Sequence, residues 1–244
     1  MTSSDDPVDP TEPAGDAVVR AATISVGVMM AAVKVGQRSY LSSWMLRAAK
    51  RFTAQAQAIE TEHPGDWTKG EQHVDLVMAA VLNAVAFIEA MINEVFTDAA
   101  DDNGDLTPLN SANTRVMADW WREFDDGRVR TLTKYQQLLT FAGKPKLDTG
   151  AEPYQSAQAL IDLRNAIVHY RPETIWSDEV HRLTRRLQGR FVSNALLHPS
   201  TDLRWPNGLL GAGCARWSHE SAQRLTDRVL DTVGVTANYR ALGV

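Results

Sequence analysis

One cysteine in 244 residues, Cys214, is too few for an internal disulfide framework or a multi-thiolate metal site. Positive charge is also short: 25 Lys and Arg stand against 30 Asp and Glu, a formal charge of -5, which argues against a chain held on DNA by bulk attraction. A basic leader of the kind a secretory signal needs is missing, since residues 1–16 carry five acids and three prolines. The apolar run that follows, Ala21–Val33, spans 13 residues between Arg20 and Lys34, well below the ~20 that cross a bilayer. No repeat of 20–50 residues, Walker sequence or dinucleotide glycine fingerprint is visible. These absences point to a soluble, cytoplasmic protein with no membrane partner.

What is present is mostly helical. Residues 1–16 cannot bury enough surface to offset their ordering entropy and are expected to form a tail. Residues 17–244 are expected to form one domain, with its core over about 71–234. Within Ala21–Val33, Ile24, Val26 and Val28 alternate as in a strand while the Ala and Met content suits a helix; a helix is the preferred reading. Ser39–Glu62 has few breakers and stops at His63-Pro64-Gly65. In Glu71–Ala100 apolar residues recur at spacings of three and four from Val74 to Phe96, one stripe along a long helix. Further helices are expected at Ala112–Phe124, Val129–Ala142, Gln155–Tyr170, Ser177–Arg190 and Ala215–Val233, with His198–Gly213 as an ordered connection. The fold class is all-α, a compact helical bundle with an additional N-terminal helical segment.

Two charges fall where a core helix should have none. On a wheel at about 100° per residue, Leu160, Leu163, Ile167 and Val168 define the inward arc, and Arg164 lies inside it. Asn165 and His169 share the edge of that arc. On the long helix Glu89 falls between Met78, Leu82 and Phe96, with Asn93 beside it. An unpaired buried charge costs several kcal/mol, so the two helices are expected to pack with Glu89 against Arg164. Such a pair either fixes helix register or orients a guanidinium for a phosphate, whose oxygens its planar fork matches. His169, near the same face, would then move protons at neutral pH.

Other constellations fail on spacing. DDNGD (Asp101–Asp105) has Ala99 and Asn110 at the first and last positions of a calcium loop. His63 and His73 lie ten apart across a break, Cys214 has no dyad histidine, and GLLGAG (Gly208–Gly213) lacks the strand and lysine of a phosphate loop. No metal or cofactor is expected. Between Arg164 and Arg190 there are six arginines with His169 and His181 against three acids, a local positive charge that suits RNA; alternatively Arg182, Arg185 and Arg186 pair with nearby acids on a solvated face. Trp120, Trp121 and Trp176 could stack on bases, but tryptophans at helical positions are more often core or interface anchors.

LRNAIVHY (Leu163–Tyr170) carries Arg164-Asn165-x-x-x-His169 and resembles the R-x4-6-H signature of the HEPN superfamily, all-α domains of bacterial toxins, abortive-infection systems and CRISPR-associated ribonucleases. AFIEAMINEVF (Ala86–Phe96) is similar to the helix that commonly precedes it, and Cys214–Gly234 to the closing helix. The resemblance implies a metal-independent endoribonuclease, a homodimer whose two motif helices line one cleft, acting as a toxin or phage-defence effector with an antitoxin or defence-system partner. It implies that His169 activates the 2'-hydroxyl or protonates the leaving 5'-oxygen. Arg164 would bind the scissile phosphate, and Asn165 would hold a phosphate oxygen or fix the imidazole tautomer. Glu89, Asn93 and Tyr170 would support them, with Arg171, Arg182, Arg185 and Arg186 on the RNA. RNA but not DNA should be cut, leaving 2',3'-cyclic phosphates. In one toxin branch a modified tyrosine stands two residues after the histidine; here Arg171 holds that place and Tyr170 is adjacent. The alternative is a non-catalytic HEPN-like module that binds a protein partner or nucleotide.

Overall fold

The long apolar helix expected at Glu71–Ala100 organises everything else. In the computed structural model, residues 37–103, 111–124, 129–176, 179–197 and 205–241 are described. Contacts divide the chain into Met1–Ser39 and Tyr40–Val244, and every element below belongs to the second unit. The acidic tail and the run Ala21–Val33 lie outside the described residues. All regular structure among the described residues is helical: α1 (Ser42–Glu62), α2 (Gly70–Ala100, entered by a 3-10 turn at Trp67–Lys69), α3 (Ser111–Phe124), α4 (Thr131–Phe141), α5 (Tyr154–Val168), α6 (Arg182–Leu187), α7 (Ala212–Val233) and α8 (Asn238–Ala241).

α2 packs against α1, α3, α4, α5 and α7. Its buried residues therefore exceed the single stripe read from the sequence, with Ala80, Val81, Ala84, Val85, Phe87 and Ile88 all enclosed. Trp67–Ala100 is long and apolar enough to cross a membrane by length and composition, but half (50%) of an apolar 18-residue stretch within it is buried inside the bundle. A central bundle helix must be apolar on several faces for the same reason a membrane helix is. Trp121 stacks on Phe96 with centroids 5.4 Å apart, and Trp120, Phe124 and Phe141 complete the cluster between α2, α3 and α4. Trp120 and Trp121 are thus core anchors.

Polar ties close the bundle. Tyr135 of α4 donates its hydroxyl to the Ile88 carbonyl of α2 at 3.0 Å and lies 3.1 Å from Thr226 Oγ1 of α7. Burial pushes the Tyr135 hydroxyl pKa far up, so it stays a neutral donor. Glu60, at the end of α1, accepts the Ala212 N–H at 2.8 Å and stands 3.0 Å from Nε2 of fully buried His73. A carboxylate at the first turn of α7 satisfies an orphan donor and complements the helix dipole. The described part of the His198–Gly213 connection is ordered by Asn194, whose amide donates to Asn207 and Leu210 carbonyls and accepts from Leu196. Gly211 sits where an added Cβ would lie 2.6 Å from the Asn194 Cα, so only glycine fits that crossing.

Helix boundaries depart from the sequence reading most consequentially beside the candidate site. α5 ends at Val168, so His169 and Tyr170 follow the helix rather than belong to it. Arg171 precedes Pro172, whose ring disfavours helical backbone before it. The helix expected over Ser177–Arg190 is confined to Arg182–Leu187, and Ser177 and Asp178 lie outside the described residues. It starts at His181, whose Nδ1 accepts the Leu183 N–H at 3.3 Å as a cap, and a turn through Gly189 (φ +74°) closes it.

Candidate functional site

Asn165 and His169, one turn apart at the C-terminal end of α5, line a cleft of about 740 Å³. Its walls also carry Tyr170, Arg171 and Glu173 from the extended segment after α5, Arg182 and Arg186 from α6, and Trp205. His169 is exposed, its backbone N–H held by the Asn165 carbonyl at 2.9 Å. Arg186 is paired with Asp162 of α5 at 2.8 Å, which fixes α6 against the motif helix. Among the described residues neither Arg171 nor Arg182 has a carboxylate partner, so two free guanidinium groups face the cleft that His169 borders. Arg185 is exposed and does not line it.

Arg164 is elsewhere. As expected it meets Glu89: its Nη2 donates to Glu89 Oε1, joining α5 to α2. The Thr131 hydroxyl of α4 lies 3.5 Å from the same oxygen. The expected burial of this pair is corrected: the Arg164 side chain is 23% exposed and that of Glu89 39%. The wheel residues used to place them explain the difference, since Leu82 and Val168 are themselves 37% and 52% exposed. The packed helices leave this part of the arc partly open. Asn93 turns to α4, accepting from Lys134 Nζ at 2.8 Å, and that ammonium lies 4.5 Å over the Trp121 ring. Within one chain, then, Asn165, His169, Tyr170, Arg171, Arg182 and Arg186 share the cleft, while Arg164, Glu89 and Asn93 form a separate polar row.

His181 is the residue whose role the sequence reading missed. Its Nδ1 accepts the cap bond, so its proton resides on Nε2, 2.9 Å from Glu173 Oε1. The ring stacks on Trp205 at 5.6 Å and 16°. With both nitrogens engaged and 7% of the side chain exposed, it builds the cleft wall and leaves His169 as the imidazole open to solvent there. Histidine at a helix cap and a carboxylate eight residues upstream carry no short-range signature.

The remaining chemistry is quiet. Cys214 is buried, which pushes its thiol up to about 12 and leaves it protonated. Among the described residues no group of three or more His, Cys, Asp or Glu could hold a metal ion. The fold and cleft define a class: an all-α bundle with an arginine-lined cleft at the end of one core-facing helix. No family model matches the chain, and no curated protein or solved structure does so either.

Proposed function

We propose that this chain is a metal-independent, HEPN-type endoribonuclease of the cytoplasm, a toxin or phage-defence effector that works as a homodimer. The observation that carries the reading is the exposed His169, beside Asn165, on a cleft whose Arg171 and Arg182 have no carboxylate partner among the described residues. Imidazole is the side chain best suited to exchange protons near neutrality, and unpaired guanidinium groups suit phosphate oxygens. In the reaction the RNA 2'-oxygen loses its proton to a base and bonds to phosphorus. The bond from phosphorus to the 5'-oxygen breaks, and that oxygen takes a proton. His169 serves one of these two transfers, and the arginines stabilise the charge that develops on the phosphoryl oxygens.

What supports a paired arrangement is that Arg164 does not line the cleft of its own chain. It lies on a half-open face with exposed Leu82 two turns before Glu89 and exposed Val168 one turn after Arg164. A second copy on that face would cover them and bring Arg164 towards the partner's cleft. The alternative, a non-catalytic module for a protein or nucleotide, is favoured by one observation, the commitment of Arg164 to Glu89. Incubation of total RNA with the protein in chelator separates the two. Cleavage by wild type that is lost in His169→Ala and Arg164→Ala supports the nuclease; inertness of all three supports the module.

A further inference from the structure

The cleft at His169 has a neighbour beyond Arg186. That arginine also lines a second concavity of about 270 Å³ with Thr149, Gln155, Gln158 and Arg190. Arg190 in turn lines a third, of about 650 Å³, with Glu152, Trp217, Arg224 and Arg228. Shared side chains therefore set three hollows side by side, in a row from α6 across the start of α5 to α7. The joint is built: Arg190 Nε donates to the Arg186 carbonyl at 3.2 Å, and its Nη1 reaches Ser156 Oγ at 2.9 Å and Glu152 at 3.1 Å.

The charge along this row is uneven in a telling way. Its walls carry six arginines, Arg171, Arg182, Arg186, Arg190, Arg224 and Arg228, and three carboxylates, in a chain of formal charge -5. Two of the carboxylates are matched by arginines, Asp162 by Arg186 and Glu152 by Arg190, while Glu173, at the His169 end, accepts from the neutral ring of His181. The middle is thus neutralised and held in shape. The two ends are not: Arg171 and Arg182 at one, Arg228 at the other, have no ion-pair partner among the described residues, and exposed Arg224 meets Glu220 at 3.5 Å and donates to Ser221 Oγ at 3.1 Å. Arg224 and Arg228 lie one helical turn, about 6 Å, apart on α7, a step comparable to that between phosphates of an extended strand.

We infer that the Arg186–Arg190–Arg224–Arg228 row is an extended binding track for single-stranded RNA, gripping the strand's phosphates several nucleotides away from the bond held at His169. This rests on the ribonuclease reading and adds a substrate requirement to it: a strand long enough to reach α7. An acidic peptide would meet the same cations, but exposed arginines at turn spacing suit a strand whose charges repeat at a regular step better.

The test uses the full chain and labelled 2'-O-methyl oligouridylates, which cannot undergo 2'-oxygen attack, of roughly 4 and roughly 12 nucleotides. Wild type should bind the longer strand more tightly. Arg224→Gln/Arg228→Gln should weaken it on the order of 20-fold at roughly 0.1 M salt and lower the salt slope by about 1.4, two phosphate contacts' worth for a single strand. Binding of the short strand should not change, and Arg224→Lys/Arg228→Lys should retain most of the affinity. Unchanged affinity and slope in the glutamine variant, or equal wild-type affinity for both lengths, overturns the track and leaves the catalytic reading standing. Wild type that binds neither length overturns both. Equally tight binding of a poly-glutamate of matched charge overturns the assignment to RNA.

Discussion

Removing Glu89 is the sharpest structural perturbation, because sequence and structure give different magnitudes for it. A buried pair broken from one side loses about 3–5 kcal/mol, since the partner is left charged and dry. Here the Arg164 side chain is 23% and that of Glu89 39% exposed, so water can reach the orphaned guanidinium. Fully exposed pairs contribute about 0.2–1 kcal/mol, and hydrogen bonds to charged groups about 1.5–3. Glu89→Ala should therefore cost about 1–2 kcal/mol, a fall of a few degrees in Tm for a domain of this size. In a double-mutant cycle with Arg164→Ala, urea denaturation should return a coupling of about 1 kcal/mol. A loss above about 3 kcal/mol would mean the pair is sealed in the bundle, and no coupling would mean that the contact between α2 and α5 is not made.

Other outcomes follow from named contacts. His219, held down to about 4 by burial and then by Lys50, Arg216 and Arg224, should make the fold acid-sensitive. The unfolded imidazole takes a proton near pH 6.5 and the folded one only near 4, so stability falls as pH drops through that window, on the order of 3 kcal/mol in total. Thermal melts of His219→Gln across the same range should show a flatter pH profile than wild type. Gly211→Ala forces a Cβ to 2.6 Å from the Asn194 backbone at the start of α7, and should cost more than about 2 kcal/mol in denaturation or abolish soluble expression. If Arg164 serves its partner's cleft, mixed and refolded His169→Ala and Arg164→Ala chains should regain about a quarter of wild-type RNA cleavage through statistical heterodimers. Continued inertness of the mixture, with dimers present by size-exclusion chromatography, would place both groups in one chain's site.

How much of this was legible beforehand differs by element. α1 and α2 were readable because α1 has few breakers before the local stop at His63-Pro64-Gly65 and α2 carries a long apolar stripe. The Glu89–Arg164 contact was readable because a charge inside an apolar arc demands a partner and each of the two lies in the arc of its own helix. Its exposure was not, since a wheel gives direction around a helix and says nothing of what covers that direction. The cleft was half legible: Asn165 and His169 share a turn, whereas the wall sets Glu173 and His181, eight residues apart across a non-helical segment, against Trp205 from a later one. Glu60 with His73 was missed for the same reason, the histidine having been weighed only as a metal ligand. The Arg190, Arg224 and Arg228 end of the row depends on α7 crossing beside α5, which composition near the motif could not convey.

The central claim is that His169 moves a proton in cutting RNA at the cleft between α5 and α6. Mass spectrometry of RNA fragments produced in chelator tests it most directly. The expected result is fragments ending in 2',3'-cyclic phosphate from wild type and none from His169→Ala, with DNA of the same sequence untouched. Fragments with free 3'-hydroxyls, or equal cleavage by His169→Ala, would contradict it.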